Sequence, residues 1–189
     1  LHPRRSGILG ALTIVTAEIS SSEINQFVDY EKFVSTRKIR TPGGFNELAD
    51  FNNALHEEIS VHHDGRPPPL GQTMRGGTQI PNNLFKSAKG LTAVLKESLS
   101  EVLKEYINGM EADISHPFLR FKNADFRYTG AWSTILYGSG YDMSHIHEGW
   151  ISGVYYIKTP DMPEESWNSG QGCIPVSYTH LRAHETDHD

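Results

Sequence analysis

Near Pro117 the apolar residues of this chain stop recurring every three to four positions and begin to alternate. The first pattern suits helices and the second suits strands, so helices come first and strands follow. Upstream, Ser20 and Glu23 have capping-box spacing ahead of Ile24, Phe27, Tyr30 and Val34, which predicts a helix over residues 21–35. Asn46 is placed to cap a second helix carrying Leu48, Phe51, Leu55 and Ile59, ended by the polar turn His62-His63-Asp64-Gly65. Arg66-Pro67-Pro68-Pro69 must then be extended. The clearest helix covers residues 91–110, with Leu91, Leu95, Leu99, Val102, Tyr106 and Met110 on one face and Lys96, Glu97, Glu101, Lys104 and Glu105 on the other. A sheet is the expected partner for that stripe.

Beyond Pro117, Phe126, Tyr128, Trp132, Thr134 and Leu136 alternate with Arg127, Thr129, Ser133 and Tyr137, the pattern of a half-buried strand. Gly138-Ser139-Gly140 is expected to interrupt it as a turn, and a second strand is expected over residues 151–158. The order predicts an α+β fold, with N-terminal helices supporting one face of an antiparallel sheet.

Composition removes several function classes. Hydrophobic residues make up 37% and charged residues 21%, which excludes a disordered acidic chain. A net charge of -6 without a Lys/Arg cluster gives no footprint for nucleic acid, and no membrane partner is expected. Cys173 is the single cysteine, so there is no internal disulfide framework and a cytoplasmic location is expected. The apolar start from Ile8 to Ala17 follows Arg4 and Arg5 but lacks a small-residue cleavage pattern, and reads as a strand or lost helix end rather than a signal peptide. Residues 1–20 therefore read as the remnant of an upstream region.

In Ser144-His145-Ile146-His147-Glu148 two imidazoles stand two residues apart. On an extended backbone both rings face one side and can converge on one ion, while Glu148 faces away. Imidazole suits iron, zinc and copper alike, so the pair alone does not name the metal.

The surroundings of the pair are more specific. Tyr137-Gly138-Ser139-Gly140-Tyr141, His145-Ile146-His147 and Trp150-Ile151-Ser152-Gly153-Val154-Tyr155-Tyr156, with Arg75-Gly76-Gly77-Thr78-Gln79 and Gly130-Ala131-Trp132-Ser133 upstream, resemble the prolyl-hydroxylase-like 2-oxoglutarate/Fe(II)-dependent oxygenases often associated with tetratricopeptide repeats. The likeness spans roughly Tyr30 to Ile174. It implies a double-stranded β-helix of the jelly-roll or cupin type, Fe(II) held by His145 and His147, and 2-oxoglutarate as cosubstrate with dioxygen. It also implies that Tyr137, Tyr141 and Tyr156 help to hold 2-oxoglutarate. His147 stands where many relatives carry an aspartate, which alters the charge balance of the site. The substrate is unidentified; a protein side chain is the guess that prolyl-hydroxylase-like relatives suggest. Trp132 and Trp150 are expected to fill the core, Ser152 and Gly153 to permit close sheet packing, and Arg75 is open between loop support and substrate contact.

Relatives carry a distal histidine as third ligand, followed by an arginine for the far carboxylate of 2-oxoglutarate, and neither is found here. The expectation is a single oxygenase domain over residues 21–174, truncated at its C-terminus and turning over poorly, if at all. Residues 175–189 are expected to be a non-native tail, since 175–186 resemble the chance translation of a sequencing adapter. His184-Glu185-Thr186-Asp187-His188 within it matches the zincin pattern, but almost no apolar residue is present to dock such a helix. His180, His184 and His188 are left as adventitious metal binders. The alternative reading is a non-catalytic cupin-like module, or an inactive fragment, that binds metal or ligand. The oxygenase reading requires both rings on one side with a pocket beside them.

Overall fold

The computed structural model describes residues 29–65, 72–80, 83–116, 118–143, 145, 147, 149–168, 174–176 and 179–181. In chain order these form helix α1 (Tyr30–Phe33), helix α2 (Leu48–Ser60), strand β1 (Met74–Gln79) and helix α3 (Gly90–Gly109). A 3-10 turn (Leu119–Phe121), strand β2 (Thr134–Asp142), helix α4 (Glu164–Asn168), strand β3 (Ile174–Val176) and strand β4 (Thr179–Leu181) follow. The mixture of helix and antiparallel sheet is α+β. Two compact units divide it: α2, β1, α3 and β2 belong to one, and α1, α4, β3 and β4 to the other. No helix among the described residues is long and apolar enough to cross a membrane.

In the second unit the helix expected over 21–35 has one described turn, capped by Asp29, whose carboxylate accepts from the Lys32 N–H at 3.0 Å. It ends at Phe33 because Val34 is extended, and residues 21–28 lie outside the described residues. β3 and β4 pair antiparallel, with Pro175 opposite His180. The zincin-like segment and the Pro67-Pro68-Pro69 run lie outside the described residues.

The first unit is organised around α2. Phe51, Leu55 and Ile59 recur at i, i+4 and i+8 and are all buried. Burying each such side chain contributes about 1.5–3 kcal/mol. Asn46 is not the cap: Glu47 occupies that position, without a side-chain cap bond. α3 starts one residue earlier than expected. Its stripe packs on α2 and on extended segments rather than on a sheet, since Leu95 joins a core of Ile39, Phe51, Leu55, Ile59, Ile80 and Phe85. Tyr128, Ala131, Tyr155 and Ile157 lie against that core from outside.

The start of α3 is satisfied by a residue far away in sequence. The Glu58 carboxylate accepts the Leu91 N–H, the Thr92 N–H and the Thr92 hydroxyl, each at 2.8 Å. Free helix amides carry partial positive charge, so an anion there is favoured. Burial alone would raise the Glu58 pKa, but the bonds from Leu91 and Thr92 hold it below the ordinary carboxylate value. Gly90 has φ +55°, and a Cβ there would meet Glu58 Oε2 at 2.5 Å, displacing the cap.

β1 pairs antiparallel with β2, in two stretches joined by an irregularity. Arg75 faces Tyr141 and Gly77 faces Leu136, so Gly76 alone spans the residues from Tyr137 to Gly140. Gly138-Ser139-Gly140 is thus a bulge within a strand, not the end of one. Gly76 has φ +65°, and a Cβ on it would meet the Gly140 Cα at 2.9 Å, so the chains approach here because both residues lack side chains.

Two strand expectations need correction. Regular pairing begins only at Thr134, and the preceding extended chain is held by isolated bonds, Ile80 N–H to the Ser133 carbonyl and Leu84 N–H to the Ala131 carbonyl. Residues 151–158 form no strand, although Tyr155 and Ile157 turn inward as alternation requires and the Tyr155 hydroxyl donates to Asn52 Oδ1 at 2.6 Å. A Cβ on Gly153 would meet nothing within 4 Å, so that glycine serves no close packing.

Candidate metal centre

β2 ends at Asp142, and the chain leaves β1 with one last bond, from the Met143 N–H to the Thr73 carbonyl at 3.1 Å. His145 and His147 follow on backbone assigned to no strand. Their rings nevertheless meet: the centroids are 4.7 Å apart and the Nε2 atoms 2.9 Å apart. Adjacent ligands on an octahedral ion, with bonds of about 2.1 Å, stand about 3 Å from each other, so the pair has chelating spacing.

His145 Nδ1 lies 2.7 Å from the Met143 carbonyl. A carbonyl only accepts, so Nδ1 carries the proton and the neutral ring presents its lone pair at Nε2. His147 Nε2–H donates to that lone pair. Asp142 Oδ1 is 3.7 Å from His145 Nδ1, beyond hydrogen-bond range, and places a carboxylate beside the pair.

His147 stacks in parallel on the Trp132 indole, with centroids 5.2 Å apart and planes 7° apart. Burial holds its pKa below the ordinary histidine value, His145 adds to the effect and Asp142 opposes it. A neutral imidazole is the form that binds metal.

Among the described residues no three His, Cys, Asp or Glu side chains converge. Glu148 lies outside the described residues. The Tyr137 hydroxyl is 3.4 Å from Thr78 Oγ1, and Tyr141 and Tyr156 are exposed. Both histidines are exposed as well, and they line neither the cleft beside Lys96 nor the one beside Glu58. The sequence reading required a pocket beside the pair, and these two clefts do not supply it.

Trp132, read from the sequence as core, is 44% exposed and forms one wall of the histidine site. Trp150 does pack inward, against Phe118, with its indole N–H donating to the Phe118 carbonyl at 3.0 Å. Arg75 supports its own loop, donating to the carbonyls of Gln72 and Met74 at 2.6 and 2.8 Å.

A further histidine, which its place in the polar turn after α2 does not single out, joins three elements. His63 Nδ1 lies 2.9 Å from Thr78 Oγ1 and Nε2 3.1 Å from Ser133 Oγ, so one ring ties α2 to β1 and to the residue beside Trp132. Burial lowers its pKa; Asp64 opposes, and His56 and His62 reinforce. Because the folded pKa is below the ordinary 6.5, the contribution of this bridge is complete above that value and is lost as pH falls through the folded value. Urea midpoints at about pH 8 and about pH 5 are expected to differ less in His63→Gln than in the parent chain. An unchanged difference would remove His63 from the pH response.

No family model, curated protein or solved structure matches this chain.

Proposed function

We propose that this chain carries the metal-binding part of an Fe(II)/2-oxoglutarate-dependent dioxygenase that hydroxylates an unidentified substrate, a protein side chain being the first candidate. The observation that carries the reading is the 2.9 Å approach of the two Nε2 atoms, with the His145 tautomer fixed by the Met143 carbonyl. His145 and His147 are the proposed ligands, and Tyr137, Tyr141 and Tyr156 the proposed contacts of 2-oxoglutarate. Ferrous iron held by the two imidazoles would bind a chelating 2-oxo acid and activate dioxygen. The reaction converts 2-oxoglutarate, dioxygen and a C–H bond into succinate, carbon dioxide and an alcohol. The architecture proposed to complete the site is a double-stranded β-helix, with α2 and α3 as its supporting layer.

Trp132 covers one face of His147 and the Met143 carbonyl holds His145, so these contacts support the pair. Two observations favour the second reading, a non-catalytic cupin-like module: among the described residues the donor set stops at two, and both histidines are exposed and line neither cleft.

Anaerobic Fe(II) titration followed by succinate measurement separates the readings. This chain is expected to bind Fe(II) with little or no succinate release. A chain that adds a third histidine and an arginine to the pair is expected to release succinate only when 2-oxoglutarate and iron are both present. Failure of this chain to bind Fe(II) in that titration defeats the oxygenase reading.

A further inference from the structure

A cleft of about 510 Å³ lies between α3, the loop at Asn83–Lys86 and the extended segment at Ala124–Tyr128, sharing no lining residue with the histidine pair. Its charge departs from that of the chain. The whole sequence carries -6, yet Lys86, Lys96, Lys104 and Arg127 line this cleft against a single acid, Asp125. Lys96, Ser100 and Lys104 fall at i, i+4 and i+8 and so share one face of α3. Lys96 Nζ is held on the Phe85 carbonyl at 3.0 Å, whereas the side chains of Lys86, Lys104 and Arg127 make no ion pair among the described residues. Four cations facing one carboxylate keep a net repulsion, and an anion between them relieves it.

The remaining wall is aromatic. Tyr128 stands edge-on to buried Phe85 at 4.9 Å and to Phe126 at 5.7 Å, and shares a hydrogen bond of 3.0 Å with Ser100. Ring faces next to cations suit a ligand that joins a planar ring to phosphate groups. The volume is in the range of small-ligand sites; arginine grips phosphate through paired donors and bases stack on aromatic side chains.

We propose that this cleft binds a small phosphorylated ligand of the nucleotide class, its phosphates on Lys86, Lys104 and Arg127 and its ring against Phe126 and Tyr128. The site does not depend on the oxygenase reading.

Isothermal titration of the full chain with ADP tests it, with pyrophosphate, adenosine and a polyglutamate peptide as separate probes. ADP is expected to saturate one site and to bind more tightly than any of the other three. Lys104→Gln and Arg127→Gln alter exposed side chains and are each expected to weaken ADP at least about tenfold, the cost of a lost charged hydrogen bond. Phe126→Ala is expected to weaken ADP while leaving pyrophosphate unchanged, and His145→Ala to leave ADP binding intact. No saturable ADP binding, undiminished binding in both cation variants, or tighter binding of pyrophosphate or polyglutamate than of ADP would overturn the proposal.

Discussion

Alanine at either His145 or His147 is expected to weaken Fe(II) binding by more than about 100-fold, beyond the range for losing a mere supporting partner of a ligand. Removing one imidazole turns a chelating pair into a single exposed histidine. Anaerobic calorimetric titration of the parent chain and the two variants measures this, with far-ultraviolet circular dichroism checking the fold. Iron taken up by histidines of the tail would register equally in all three, so the difference belongs to the pair. The two variants should also differ from each other. His147→Ala removes the ring stacked on Trp132 and should alter tryptophan emission, whereas His145→Ala leaves that stack in place. Parent-like iron affinity in either variant would remove the pair from the proposed centre.

The largest expected loss of stability comes from Phe51→Ala, about 3–5 kcal/mol in urea unfolding. Phe51 is 0% exposed, is edge-on to Phe45 at 5.4 Å, and stands one turn ahead of Leu55 on the buried face of α2. Deleting its ring removes apolar burial and leaves a cavity that rigid neighbours fill only in part. Val61→Ala is the matched control: at 78% exposure it should change stability by less than about 0.5 kcal/mol. A Phe51→Ala cost no greater than the control's would mean that α2 does not anchor the core. Iron binding by that variant then asks whether the histidine pair needs the helical layer.

α2 and α3 were legible because helical periodicity is a local property: Phe51, Leu55 and Ile59 announce one buried face whatever lies opposite. Strand ends were less legible, since pairing depends on a partner elsewhere in the chain. Alternation runs from Phe126, but the ladder starts at Thr134 because β1 ends opposite it at Gln79. The glycines at 138 and 140 read locally as a turn. They form a bulge because Gly76 and Gly77 on the facing strand admit the close approach.

The histidine site divides along the same line. His-x-His spacing on extended chain puts two rings on one side by local geometry alone, and the chemistry of imidazole makes them candidate ligands. The sequence by itself therefore determined the helical faces and the change of period and singled out the histidine pair as a candidate, all of which depend on residues within a few positions of each other. Tertiary structure alone decided that Trp132 stacks on His147, that Glu58 caps α3, that His63 bridges to Thr78 and Ser133, and that four cations meet around one cleft. Those contacts join residues 15 to 70 positions apart or belong to separate segments, and their geometry follows from how the helices pack and how β1 and β2 are registered. Spacing along a chain says which way a side chain points; only packing says what it meets.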